Sequence, residues 1–491
     1  MSQENTEVVP LKERVLFGLS AVPDQATYQA FSLLVFTYYF SVIQLGNLVW
    51  IGFIIWTFWN MINDPILGAL SEKTQEKGKL GKRKYYLIIS IIPLALSMFF
   101  LFFVPFSTES KVPEFSYFLA IIILFEFFYT LFDVNVNAIF PEQFTSEEKR
   151  AQTNVFVKGF TVLAVMLAAI PTLTPQTPKG NVTVSQLKAT YPIWGIYLAV
   201  IVIAFAIPFL LKGVKEKRIS DEMEAKRPSF IQSLKITLTN KTFVKFVIAN
   251  TMIWYVFNTL ITIFPLYFEY VIDIPPNLAF LKTLSLLSAL LVAALVLPFH
   301  RWLGAKFGMR NAIMITLGIW IVILIPYFFL GPGAQNYVDI EILDKVYRIG
   351  EAEGFGTMEI LGILVTALQG IGLGGALFYV DIIHGDIIDE DALNFGVKRS
   401  GVFYGINAFI HRISTILTML TIFIVFQGTS WAGGYKPQGG VDVILGLKLI
   451  IFFFPAIGCL IAIMFFKFYK LHGDRLLKMR AELAKHPELT E

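Results

Sequence analysis

Trp59-Asn60-Met61-Ile62-Asn63-Asp64-Pro65 closes an apolar run, residues 48–70, that is long enough to cross a bilayer. A carboxylate at that depth is costly unless it is paired, solvated or neutralised, so it marks a functional site before it marks anything else. Asn60, Asn63 and Asp64 stand at i, i+3 and i+4, and a helix points their oxygens to one side. That side calls for a cation, a proton or a basic partner.

Eleven further apolar runs of spanning length surround this one. With it they occupy residues 15–43, 48–70, 85–106, 115–140, 155–173, 191–211, 243–271, 278–298, 312–330, 358–383, 401–426 and 443–468. Taken in order they are spans one to twelve. Over the whole 491 residues, 56% are hydrophobic and only 15% charged, against about 25% charged for a soluble domain. The chain is a polytopic membrane protein. Thirty of the 40 Lys and Arg residues fall on the N-terminal side of the bilayer, counting Lys245 and Lys467 at the inner ends of their spans, and six on the other, with four deeper inside spans. That bias places both termini in the cytoplasm, and the plasma membrane is the expected location. The expected organisation is a six-helix half at 1–211, a cytoplasmic linker at 212–242, a second six-helix half at 243–470 and a cytoplasmic tail at 471–491. The acidic outer loop at 331–357 suggests a small lid. With a single Cys no intrachain disulfide forms.

Depth picks out further residues. Asp64 and Asp133 each lie about eight residues before a cytoplasmic exit, roughly 12 Å into the membrane. Lys158 on span five and Asp24 on span one reach the same layer, too far from the helix ends for snorkelling. On span four, Glu126, Thr130 and Asp133 are spaced i, i+4, i+7 and share a face. Hard cations take oxygen ligands such as these, and Asp64 with Asp133 is expected to titrate as a coupled pair. Lys282, near the outer end of span eight, is expected to snorkel. Gly370, Gly372, Gly374 and Gly375 in span ten read as close helix packing rather than a phosphate loop. His411, beside Arg412, reads either as a hydrogen-bonded structural group or as a proton acceptor. No His-Glu-x-x-His or Gly-x-Ser-x-Gly occurs, and five His with one Cys offer no clustered ligands, which counts against a membrane-embedded enzyme.

A family resemblance emerges from these motifs. The basic turn running from Lys73 through Gly81, Lys82 and Arg83 is similar to the signature loop of the major facilitator superfamily. Trp59 to Gly68 resembles the helix-two motif of its glycoside-pentoside-hexuronide:cation symporters, the melibiose-permease group. Asp133-Val134-Asn135-Val136-Asn137 and the segment Asp386 to Asp391, followed by Lys398-Arg399, resemble that group's helix-four end and its loop between helices ten and eleven. The resemblance implies an all-α membrane protein with twelve transmembrane helices in two six-helix halves, the major facilitator fold. It implies alternating access, with Na⁺ or H⁺ as coupling ion and no other cofactor.

Carried over by position, the cation ligands are Asn60, Asn63, Asp64 and Thr130, to which depth adds Asp133. The solute contacts are Asp24, Asn137, Lys158 and Arg412. Glu126, Lys73, Lys82, Arg83, Asp386, Asp389 and His411 are assigned to coupling and gating. This chain has Asn60 where the group has Asp, which favours protons over Na⁺ or removes coupling altogether. It has Asn137 where the sugar carriers stack an aromatic on the ring. Pro23-Asp24-Gln25-Ala26-Thr27 also resembles the lysolipid-carrying branch. A sugar or glycoside, a lysolipid, and cation-independent diffusion therefore stand side by side. The expected partners are a small solute and membrane lipid, with no nucleic acid, and the expected state is a monomer.

Overall fold

The computed structural model describes residues 9–73, 83–106, 110–144, 147–215, 235, 237–274, 278–331, 338–342, 345–349, 357–396, 400–437 and 440–486. Lys82, Lys398, Arg399 and most of the linker lie outside the described residues. The chain divides into two compact units, Met1–Arg227 and Pro228–Glu491.

Among the described residues, nine helices are long and apolar enough to cross a membrane. The pair Phe280–Leu295 and Leu297–Phe307, bent by 44°, makes a tenth. The other two runs are span two, an uninterrupted helix over Leu48–Lys73, and span one. Span one is assembled from Leu11–Gly18, Ala21–Ala30 and two π-helical turns, Phe31–Val35 and Tyr38–Val42. Pro23 lacks an N–H to donate and sits in the first turn of its segment, where none is needed. Span eight runs farther than its apolar stretch predicts and bends where Pro298 removes a helical hydrogen bond.

The remaining spans are Arg83–Phe102, Val112–Gln143, Glu147–Ala169 and Val184–Pro208 in the first unit. In the second they are Lys241–Tyr270, Met309–Phe329, Thr357–Phe395, Ser400–His411 continued by Ile413–Gln427, and Val441–Lys448 continued through Phe454–Lys467. Local chemistry sets several starts. Thr183 and Gln186 form a capping box at span six, and the Asn240 side chain caps span seven by accepting from the Thr242 and Phe243 amides.

The two units repeat one plan. In the first, span one packs on spans five and six, span two on four, and span three on four and six. In the second, span seven packs on eleven and twelve, eight on ten, and nine on ten and twelve. The repeat reaches single residues. Gln44 and Asp273 both adopt left-handed φ, 61° and 64°, just past spans one and seven. The amides that flank each turn bond back to paired aromatic carbonyls: Ile43 and Leu45 to Tyr38 and Tyr39, Ile272 and Ile274 to Tyr267 and Phe268.

The outer loop adds one small hairpin to the helical chain. Val338–Ile342 (β1) and Lys345–Ile349 (β2) pair antiparallel, with Val338 opposite Ile349 and Ile342 opposite Lys345. In β1 alternating β-branched and charged residues, Val-Asp-Ile-Glu-Ile, carry the period-two signal, and β2, Lys-Val-Tyr-Arg-Ile, adds β-branched and aromatic residues that favour a strand.

A short tail helix, Asp474–Leu483, docks beneath the second unit. Arg480 donates to Asp386 at 2.7 Å and Arg475 to Glu390 at 2.7 Å. Arg310, at the start of span nine, donates to the carbonyls of Phe466 and Lys467 and to Nε2 of His472 at 2.6 Å. A guanidinium only donates, so Nε2 accepts and the ring proton sits on Nδ1. Desolvation and the Arg310 charge hold His472 below its ordinary value of 6.5. A depressed folded-state value means the contact stabilises above pH about 6.5 and is lost as pH falls through the folded value. The stability difference between wild type and His472→Ala is expected to be small, because the ring is largely exposed, to be present at about pH 7.5 and to vanish near pH 5 in thermal unfolding.

Candidate functional site

Span two turns Trp56, Asn60 and Asp64 onto one stripe at i, i+4, i+8, with Asn63 beside it, and span four packs against that stripe. Thr130 Oγ1 lies 3.1 Å from Asp64 Oδ1 and 3.2 Å from Glu126 Oε1. The Trp56 indole donates to Glu126 Oε2 at 3.1 Å, and the Asn63 amide donates to the Glu126 backbone carbonyl at 3.2 Å. Glu126, Thr130, Asn60 and Asn63 are buried and Asp64 is half-buried. A threonine hydroxyl carries one proton, so it can donate to only one of two carboxylates. The second contact places oxygen against oxygen unless something positive lies there. A proton or a cation at that point satisfies all three groups.

A second group lies around the corner of the same helix. Asp24 Oδ2 accepts from Gln25 at 2.8 Å, while Oδ1 is buried and has no close hydrogen-bond partner among the described residues. The Tyr129 hydroxyl faces this carboxylate, and Lys158 contributes a favourable charge. Asp133 lies within electrostatic reach of Tyr129 and accepts from Asn137 at 2.6 Å, one turn farther along. Asp24, Lys158, Asp133 and Asn137 thus fall in one neighbourhood. Asp133 was expected to share a titration with Asp64. The carboxylate that shares Thr130 with Asp64 is instead Glu126, because the i, i+4 spacing of Glu126 and Thr130 stacks them one above the other. Trp56 was not foreseen, although its spacing to Asn60 and Asp64 put it on the stripe.

In the second unit Arg412 stands at the break between the two segments of span eleven. His411 Nδ1 lies 3.0 Å from the Asn407 carbonyl, which only accepts, so Nδ1 donates. Its ring stacks on Trp254 at 5.0 Å. A polar seam ties span seven to span eleven through Asn250–Asn407, Asn258–Ser414 and Thr259–Thr418. Where spans two and four carry the polar cluster, spans eight and ten carry glycine and alanine. A Cβ on Gly370 would strike the Ala289 carbonyl, and one on Gly374 would lie 2.6 Å from that of Ala293. Close packing is what these glycines permit, and it fills the position the cluster holds in the first unit.

Other assigned residues fall elsewhere. Span ten continues to Phe395, so Asp386 and Asp389 stand on a helix rather than in a loop, and Asp386 is held by Arg480. Arg83 opens the helix of span three and is buried, while Lys73 is the last residue of span two. Lys282 does not snorkel. It is 3% exposed and pairs at 2.9 Å with Glu269, which is 5% exposed. The sequence hides this pair because its members lie on different helices, 13 residues apart. Among the described residues no group of three or more His, Cys, Asp and Glu is arranged to hold a metal ion.

The model of the MFS/sugar transport protein family matches residues 16–473. The chain belongs to that family. It is an integral, multi-pass membrane transporter of the major facilitator type and not an enzyme. A Salmonella typhimurium (strain LT2) protein named as a putative sulfoquinovose importer is 22% identical over 90% of this chain and 86% of its own length. The sodium-dependent lysophosphatidylcholine symporter 1 of Gallus gallus is 21% identical over 96% and 89%. Among solved structures, the nucleoside transporter NupG superposes with a TM-score of 0.60 at 12% identity, covering 93% of this chain and 99% of its own. The D-xylose-proton symporter gives 0.55 at 13%, covering 94% and 96%. At these identities the solved structures speak for the family's fold alone.

Proposed function

We propose that the protein is a secondary active transporter that couples a Na⁺ or H⁺ gradient to symport of a small hydroxylated solute, a sugar or glycoside, by alternating access. It works as a monomer in the plasma membrane with both termini cytoplasmic. The cation is held by Asp64, Glu126 and Thr130, with Asn60 and Asn63 lining the site. In the first unit the solute is held by Asp24, Asn137 and Lys158, and Asp133 orients Asn137.

One observation carries the reading: a single Thr130 hydroxyl within 3.2 Å of two carboxylates on two spans. Buried like charges do not both ionise unless something positive joins them. A bound cation relieves that conflict, and cation and solute then favour each other's binding by reciprocal linkage. Asn60 removes a carboxylate from the resembled pattern and tilts the choice toward H⁺. The names of the relatives above support a sugar-like solute on one side and a lysolipid on the other.

Thermal unfolding of the purified protein, with and without Na⁺ between about pH 5 and 8, in the presence of neutral glycosides, sulfonated sugars or lysophosphatidylcholine, tests the reading. One solute class is expected to raise the midpoint, and to raise it more when the cation is present. Equal stabilisation with and without cation means facilitated diffusion. Stabilisation by none of the solutes overturns the reading.

A further inference from the structure

A row of aromatic rings joins the two polar groups of the first unit. It begins at Trp56, whose indole N–H is held by Glu126. That indole packs on Phe31 of span one, with centroids 4.9 Å apart. Phe31 stacks on Phe125 of span four at 4.8 Å and 7°, and Phe125 stacks on Tyr129 at 5.7 Å and 19°. Tyr129 stacks on Tyr28 at 5.5 Å and 26°, and its hydroxyl faces Asp24. Helical spacing makes the row: Asp24, Tyr28 and Phe31 are i, i+4, i+7 on span one, and Phe125 and Tyr129 are i, i+4 on span four. Phe31 also opens the first π-helical turn of span one, a distortion that is frequent at functional sites. Trp56, Phe31, Phe125 and Tyr129 are all buried.

We infer that this ladder is the coupling element between cation and solute, with Trp56 as the positioning residue that reads the state of Glu126. The inference rests on the symport reading above and adds the path by which the two sites sense each other. An indole N–H can only donate, and it binds an ionised carboxylate more strongly than a neutralised one. When a cation or proton joins Asp64 and Glu126, the negative charge on Oε2 is shared and the indole is released from its present orientation. The ring cannot turn alone. Phe31 lies against it, and close-packed aromatic faces forfeit much of their dispersion energy when they separate by even an ångström. The displacement therefore passes to Phe125 and Tyr129, which changes how the Tyr129 hydroxyl meets Asp24. Solute binding at Asp24 acts back through the same rings, as linkage requires.

The test is a double-mutant cycle read by cation titration, with Na⁺ at fixed pH and H⁺ in its absence as the probes. The apparent midpoint comes from thermal stabilisation of purified, monodisperse protein. Asp24→Asn is expected to move the wild-type midpoint about fivefold or more, the lower end of ordinary coupling. In the Trp56→Phe background, which keeps a ring but removes the N–H, that shift is expected to fall below about twofold. Phe125→Leu, which interrupts the stack without touching either polar group, is expected to do the same. If both backgrounds leave the Asp24→Asn shift intact, the coupling is through-space charge and the ladder is overturned. If Asp24→Asn moves nothing in wild type, it is overturned as well. A wild-type protein that answers to neither Na⁺ nor H⁺ removes the cation reading itself, and this arm is scored before any variant is made.

Discussion

Asp64→Asn is expected to abolish cation-driven accumulation of solute in proteoliposomes while leaving solute binding and downhill exchange in place. Asn has nearly the shape of Asp, so packing against Thr130 persists and the change is one of charge. With an amide at position 64 the Thr130 proton serves Glu126 alone, the oxygen–oxygen conflict disappears, and the second contact no longer calls for an added positive charge. Cation affinity is expected to fall by about 100-fold, equivalent to about 2.7 kcal/mol, because one of two charged ligands has gone from a largely buried cluster. The reverse change, Asn60→Asp, adds a carboxylate to the same stripe and is expected to tighten Na⁺ binding by about tenfold, equivalent to about 1.4 kcal/mol. Uptake driven by a Na⁺ or pH gradient, measured beside equilibrium exchange, separates these effects. An Asp64→Asn protein that still concentrates solute against its gradient, with the cation dependence of wild type, places the coupling site elsewhere.

How much of this the sequence discloses depends on whether the partners of a residue lie on its own helix. Asn60, Asn63 and Asp64 are legible because three neighbouring polar residues in a spanning run have no structural reason to share a face. Thr130 is legible for the same reason, once span four is set beside span two. Glu126 is legible as a buried acid but not as a member of the cluster, since what fixes it is the indole of Trp56, a residue that reads as ordinary apolar lining. Asp386 reads as part of a loop because the apolar run ends near residue 383. Only the tail helix, which supplies Arg480 from 94 residues away, shows why the helix continues past it. The twelve spans follow from length and hydropathy, whereas the π-helical turns of span one and the bend at Pro298 depend on what each helix meets. Pairings between residues far apart in the chain leave no periodic trace.

Lys282 shows the same limit with a larger energetic consequence. Lys282→Met, taken alone, is expected to destabilise the protein by about 3–5 kcal/mol, because it takes a charged partner from the Glu269 carboxylate in a site 5% exposed. Removing both charges, in Lys282→Met with Glu269→Gln, is expected to recover most of that loss, since the desolvation cost of the pair goes with its attraction. The two substitutions are therefore strongly non-additive, with an interaction term larger than about 1 kcal/mol. A snorkelling lysine behaves in the opposite way: its methylenes lie on apolar surface, Met replaces them at little cost, and Glu269 is indifferent to the change. Thermal midpoints of wild type, both single variants and the double variant decide between the two. Single variants as stable as wild type, or a double variant no better than Lys282→Met, would show that the pair carries no net burden.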